Sequence, residues 1–169
     1  MPLLRTTALG LAVAALGLLP SGAAAAPTVC SPAAIQQSLV TAGKLTPGDI
    51  DAGETVNLVR CGDVTADGAT DAVFTVASGG TAGDTRFGVL GGLADGGAGD
   101  VFLFRRGYKA GIARHDRRAF DVAQPHYRRQ DPNCCPSSFR ITRYTWVGDH
   151  FTKGTPRHRR SAPRRFYRP

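Results

Sequence analysis

The chain predicts an α+β fold: one N-terminal helix packed on an antiparallel β-meander of about six strands, stapled by disulfides. Three observations carry this. A single helical pattern lies near the N-terminus, after a capping Ser31-Pro32 pair. From Glu54 onward the apolar period is two. The separators between apolar runs are short and glycine-rich, which suits hairpins rather than crossover helices.

Ser31 is an N-cap with proline at the first helical position. Ala33 to Ala42 follows as the helix, with Ile35 and Leu39 on one face, and Gly43 ends it. Leu45 to Gly53 is turn-rich around Pro47-Gly48. Val56 and Leu58 then alternate with Asn57 and Val59 in a strand that runs to Cys61. Ala72 to Ser78 is rich in β-formers and reads as a buried strand. Arg86 to Leu90, Val101 to Arg106 and Ala119 to Gln124 are further strands. Arg140 to Val147 alternates most cleanly: Ile141, Arg143, Thr145 and Val147 share one face, and Thr142, Tyr144 and Trp146 the other. Gly148-Asp149-His150 turns it into a short last strand at Phe151. Ser78 to Asp84 has a glycine-rich look, but no Gly-Lys-Ser/Thr or helix follows, so a hairpin loop is expected rather than a phosphate cradle. Leu93 to Asp100 is expected to be a flexible loop.

Arg5, the apolar run Ala8 to Leu19 and the small residues around Ala23-x-Ala25 read as a secretory signal peptide over residues 1–25. The run is shorter than the roughly 20 residues that span a bilayer. A single secreted domain is expected over 26–152, and a monomer. Cys30, Cys61, Cys134 and Cys135 make an even count in an exported chain, which implies disulfides. Pairing Cys134 with Cys135 closes a strained eight-membered ring, so two long-range bridges are expected, with Cys30 and Cys61 each meeting one of that pair. A redox role for Cys134-Cys135 is the alternative.

Charge is unevenly placed. From Lys153 onward there are seven bases and no acid: Lys153, Arg157, Arg159, Arg160, Arg164, Arg165 and Arg168. The segment 153–169, with three prolines and few aliphatics, is expected to be a disordered tail that holds an anionic envelope polymer or other polyanion by counterion release. By this reading the basicity belongs to the tail rather than the body.

Asp63-Val64-Thr65-Ala66-Asp67-Gly68-Ala69-Thr70-Asp71 is the most specific motif. Side-chain oxygens of Asp63, Thr65, Asp67 and Asp71, with the Ala69 carbonyl, are the ligands expected for one structural calcium ion. Phe74 stands where an EF-hand places its closing glutamate, and strands rather than helices flank the loop. The spacing resembles the shorter loops of dockerins and FG-GAP repeats, in which the ninth position closes the site. The alternative is a turn held by Asp and Thr side chains without metal. No catalytic set is visible: G-x-S-x-G and H-E-x-x-H are missing, the histidines are scattered, and Glu54 is the single glutamate.

Val59-Arg60-Cys61 through Ser78-Gly79-Gly80-Thr81-Ala82-Gly83, then Gly107-Tyr108-Lys109, Gln124-Pro125 and Asp131-Pro132-Asn133-Cys134-Cys135-Pro136-Ser137, resemble the LppP/LprE group of exported actinobacterial proteins. Many of that group are lipoproteins of unknown function. Ala26-Pro27-Thr28-Val29 before Cys30 is no lipobox, so a released or loosely envelope-held protein without lipid is expected. Function is expected to be non-enzymatic binding or structural. The rivals are a hydrolase-like secreted enzyme built from histidines and aspartates, and a thiol–disulfide protein working through Cys134-Cys135.

Overall fold

The computed structural model describes residues 29–93 and 99–168. The expected signal peptide and the centre of the Leu93–Asp100 loop lie outside the described residues. Helix α1 (Pro32–Thr41) begins where Ser31 Oγ accepts from the Ala34 amide at 3.2 Å. Helix α2 (Pro47–Asp51) occupies the stretch expected as a turn. Thr46 Oγ1 accepts from Asp49 N at 3.2 Å, and Asp49 Oδ2 accepts from Thr46 N at 2.7 Å. Proline after a threonine cap starts a helix as readily as a turn, and this reciprocal capping decides for the helix.

Strands β1 (Thr55–Gly62), β2 (Thr70–Ala77), β3 (Asp84–Leu93) and β4 (Asp100–Arg106) form one antiparallel sheet in chain order. A second sheet holds β5 (Gly111–Asp116), β6 (Ala119–His126), β7 (Ser138–Val147) and β8 (His150–Lys153). The short β9 (Arg157–Arg159) joins that sheet beside Phe139 to Ile141 of β7, while β8 covers Tyr144 to Val147. The expected six-strand meander is therefore corrected to nine strands in two sheets among the described residues. β5 escapes a pattern reading because only Ile112 and Ala113 are apolar before Arg114-His115-Asp116.

The layers run helix, first sheet, second sheet. Leu58, Val73, Phe87, Val89 and Leu103 of the first sheet meet Ile112, Phe120, Val122, Tyr144 and Phe151 of the second. On the first sheet's other face, Ala72, Phe74, Val76 and Leu90 pack with Ile35, Leu39 and Leu45. β2 is thus covered on both faces, which is why its apolar run is continuous rather than alternating. Each fully buried large apolar side chain there contributes about 1.5–3 kcal/mol. No helix among the described residues is long and apolar enough to cross a membrane.

The disulfide expectation is corrected. Cys30 pairs with Cys61, with Cα atoms 6.1 Å apart, and ties the start of α1 to the end of β1. Cys134 pairs with its neighbour Cys135. The long-range bridges fail because Cys30 and Cys61 belong to the helix and first sheet, whereas Cys134 and Cys135 sit in the β6–β7 loop of the second.

The expected disordered tail is corrected as well. Phe166, in a 3₁₀ turn (Arg164–Phe166), is 1% exposed and packs with Ala113, Ala123 and Ile141 on the outer face of the second sheet. Tyr167 Oη donates to the carbonyls of Lys109 and Ala123 at 3.2 and 3.3 Å. A Cβ on Gly111 would come within 2.8 Å of the Phe166 carbonyl and the Tyr167 ring, so that glycine lets the segment dock. Asp121, 2% exposed, receives Arg143 at 2.9 Å, and Arg157 of β9 approaches it at 3.8 Å. Proline and arginine content suggests disorder, but two aromatics and one edge strand are enough to fix the segment.

Candidate functional site

A cleft of about 430 Å³ opens where β1, the β2–β3 hairpin, the β4–β5 connection, the β6–β7 loop and the C-terminal turn meet. Asn57, Asp84 and Lys109 supply its polar groups; Tyr127, Phe139 and Tyr167 supply aromatic wall; Cys134 and Pro136 form part of the lining. Four segments singled out in the sequence converge here: Gly83, Lys109, Pro125 and the Cys134–Pro136 stretch all line it. Ser78 to Gly83 forms the expected hairpin loop, closed by Ser78 N donating to Gly83 O at 3.0 Å.

Asp84 begins β3 and is 7% exposed. Its Oδ1 accepts from Asn57 Nδ2 at 2.9 Å, and its Oδ2 accepts from Thr75 Oγ1 at 2.6 Å. Thr75 Oγ1 in turn accepts from Leu58 N at 3.1 Å. No ion pair among the described residues includes Asp84. Its carboxylate is held only by the neutral donors Asn57 and Thr75 and retains acceptor capacity toward the cleft.

Lys109, at φ 45°, anchors the loop on the facing side. Its Nζ donates to Tyr127 Oη at 3.3 Å and to Asn133 O at 3.1 Å, and it lies 5.4 Å from the Tyr108 ring centroid. The Tyr127 hydrogen bond is the largest influence raising its pKa above the ordinary lysine value. Asp131 closes the same loop: Oδ2 accepts from Arg128 N and Ser137 N, each at 2.7 Å. Its hydrogen bond with the Ser137 hydroxyl leads the causes that hold its pKa low. Burial first, then the Asp84 and Tyr127 charges, push the Tyr167 phenol up to about 12.

The aspartate loop is a separate cluster. Carboxylate oxygens of Asp63, Asp67 and Asp71 lie within 4.8 Å of one another, a spacing that suits one cation. Yet internal donors already occupy them. Asp71, fully buried, accepts on Oδ2 from Val64 N, Thr65 N and Thr65 Oγ1 at 2.7, 2.9 and 3.0 Å, and on Oδ1 from Gly92 N at 3.1 Å. Asp63 accepts from Asp67 N and Gly68 N, and Arg117 Nη2 lies 2.9 Å from its Oδ2. That Arg117 bond is the first cause of its lowered pKa. Thr65 thus turns its hydroxyl proton inward to Asp71, and the Ala69 amide donates to Asp67 Oδ1 at 2.8 Å.

The expected tail cations are dispersed. Lys153 lines a cavity between the sheets, Arg157 and Arg159 lie on β9, and Arg160 is exposed beyond it. Arg164 and Arg165 sit in the 3₁₀ turn, Arg165 lies over the Phe166 ring, and the Arg168 carbonyl accepts from Arg60. The histidines do not line the cleft: His115 is 3.6 Å from Asp116, His150 is 2.8 Å from Asp149, and His126 meets the His158 ring. Sequence reading missed Asn57, Asp84, Tyr127, Phe139 and Tyr167. Asp84 carried one usable signal, an acid directly before a strand and after a glycine turn. No family model, no curated protein and no solved structure matches the chain, so its site is read from its own chemistry.

Proposed function

We propose that the protein is a secreted, non-enzymatic binding module that takes a small ligand in the cleft between its sheets. The ligand has an apolar or aromatic body and an amine or other donor end. Asp84 carries this reading: it is a buried carboxylate without an ion-pair partner, at a cleft walled by Tyr127, Phe139 and Tyr167. Aromatic faces attract cations, and a carboxylate without a cationic partner does so too. With Lys109 over the Tyr127 ring, Phe139 and Tyr167 are the faces open to a ligand. A mostly apolar cleft with a few convergent polar groups is the usual form of a small-molecule site.

Ligand-observed NMR with small aromatic amines and their neutral isosteres tests this on the oxidised protein. Amines are expected to bind at least tenfold more tightly than the isosteres, and Asp84→Asn is expected to erase that preference. Equal binding of both sets, or a preference that survives Asp84→Asn, would sink the reading. Replacing Cys134 and Cys135 together by serine is expected to weaken binding of amines and isosteres alike, because Cys134 shapes the lining without supplying charge.

A further inference from the structure

A second cavity of about 330 Å³ lies between the sheets, where β3 and β4 face β6, β7 and β8. Phe87, Leu103 and Phe151 give it an apolar floor. Arg105, Arg140 and Lys153 stand around it, with Arg106 also in the lining. Strand register explains how three cations come to face the interlayer. Arg105 is paired with Phe87, Lys153 with Tyr144 and Arg140 with Gln124. Cross-strand partners share a face, and Phe87 and Tyr144 belong to the inter-sheet core.

Three features make this more than a basic surface. No carboxylate lines the cavity. None of its four cations joins an ion pair among the described residues, although Arg140 Nη2 donates to Gln124 Oε1 at 3.0 Å. Thr142 and Tyr144, 3% and 8% exposed, also line it, and neither hydroxyl has a hydrogen-bond partner among the described residues. Burial raises the Tyr144 pKa while Arg105 and Arg140 pull it down, so the field at the phenol is positive. Like charges gathered at one cavity repel, and the Thr142 and Tyr144 hydroxyls are reached by solvent from the cavity and free to donate. An oxyanion relieves the repulsion: guanidinium groups match its oxygens in pairs, and the two hydroxyls donate to what remains.

We infer that this cavity is a second binding site, for a phosphate or sulfate ester. Arg105, Arg140 and Lys153 hold the anionic head, and the organic part rests on Phe87, Leu103 and Phe151. Three cations favour a highly charged oxyanion over a single carboxylate, and the apolar floor favours an ester over the free ion. The site is independent of the Asp84 cleft, whose charge preference is opposite.

Isothermal titration of the full oxidised protein with phenyl phosphate, phenyl sulfate and inorganic phosphate tests the assignment. Phenyl phosphate or phenyl sulfate is expected to bind at least tenfold more tightly than inorganic phosphate, and the tighter of the two names the head group. Arg105→Gln with Arg140→Gln is expected to weaken that binding at least tenfold. Arg159→Gln with Arg160→Gln, outside the cavity, is expected to change it less than twofold. Should the double variant fold poorly, Lys153→Gln on the exposed edge strand serves in its place, with an expected loss of at least threefold. Binding unchanged by the cavity variants, binding lost in the Arg159/Arg160 variant instead, or inorganic phosphate matching both esters overturns the inference.

Discussion

The aspartate loop and the inter-sheet cation cavity are opposite in more than sign. In the loop, every carboxylate has a donor from the protein itself: Asp71 takes four, and Asp63 takes two amides and Arg117. In the cavity, Arg105, Arg106 and Lys153 have no side-chain partner among the described residues, and Thr142 and Tyr144 leave their hydroxyls open to the same space. Charge satisfied within the fold holds a corner together. Charge left unsatisfied, at some cost to the fold, is where a ligand gains most by arriving.

The sharpest way to break this comparison is Asp71→Ala. It strands the Val64 and Thr65 amides and the Thr65 hydroxyl in a buried corner between β1 and β2, and also releases the amide of the exposed Gly92 on β3. The expected loss is about 3–5 kcal/mol in urea denaturation, because each orphaned buried donor keeps its desolvation cost. A loss below about 1 kcal/mol would mean that the donors find other partners and that the loop is not organised by its acid.

Why one region was legible in sequence and the other was not follows from how each is built. The loop is local: Asp63 to Asp71 are contiguous, and a glycine at Gly68, φ 89°, marks its turn. Spacing therefore exposed the cluster, though not whether amides or an ion would fill it. The cation cavity joins β4, β7 and β8, and no spacing rule links Arg105 to Arg140 or Lys153. Part of it was readable even so. The alternation that places Thr142 and Tyr144 on one face of β7 places Arg140 there too, a buried-face arginine in an otherwise inward row. Helix α1, the continuous apolar run of β2 and the alternation of β7 were visible because each is a local pattern with one face or two to cover. The division into two sheets was not, because it depends on the Gly107–Ala110 crossing rather than on any strand's own pattern. The docked C-terminal segment was hidden for a related reason: its stability rests on Phe166 and Tyr167 meeting Gly111, Ala113 and Ala123, residues about fifty positions away.

Asp63→Ala gives a smaller effect and bears on calcium. The variant loses two amide bonds at a half-buried carboxylate and its pair with the exposed Arg117. The melting temperature is expected to fall by the same amount in calcium and in chelator, because the donors are internal. A larger fall in calcium would put an ion in the loop. Acid titration gives the matching sign. The pKa of Asp63 is lowered from its ordinary 3.8, so its contribution is present above that value and lost as the pH falls through the folded-state value. Tyr167 runs the other way: its pKa is raised from 10.0 to about 12, so the stability it lends to the docked C-terminal segment is lost as pH rises between the two. Urea midpoints across pH check both limbs, and phenolate absorbance follows the alkaline one.

The smallest effect discriminates best. If the cavity cations repel one another without compensation, removing one should stabilise the empty protein. Arg105→Gln is expected to raise stability by about 0.5 kcal/mol or less at low ionic strength, since Arg105 is exposed and solvent screens most of the repulsion. The gain is expected to vanish in 0.5 M salt, roughly, where the Debye length falls to about 4 Å. Phenyl phosphate at saturating concentration reverses the sign: it stabilises the native protein and leaves the variant behind. That crossing of two melting curves, with the variant higher in buffer and lower with ester, cannot come from a packing defect, which would leave the variant lower in both. A variant that is lower throughout would show that Arg105 supports the edge of β4 rather than waiting for an anion.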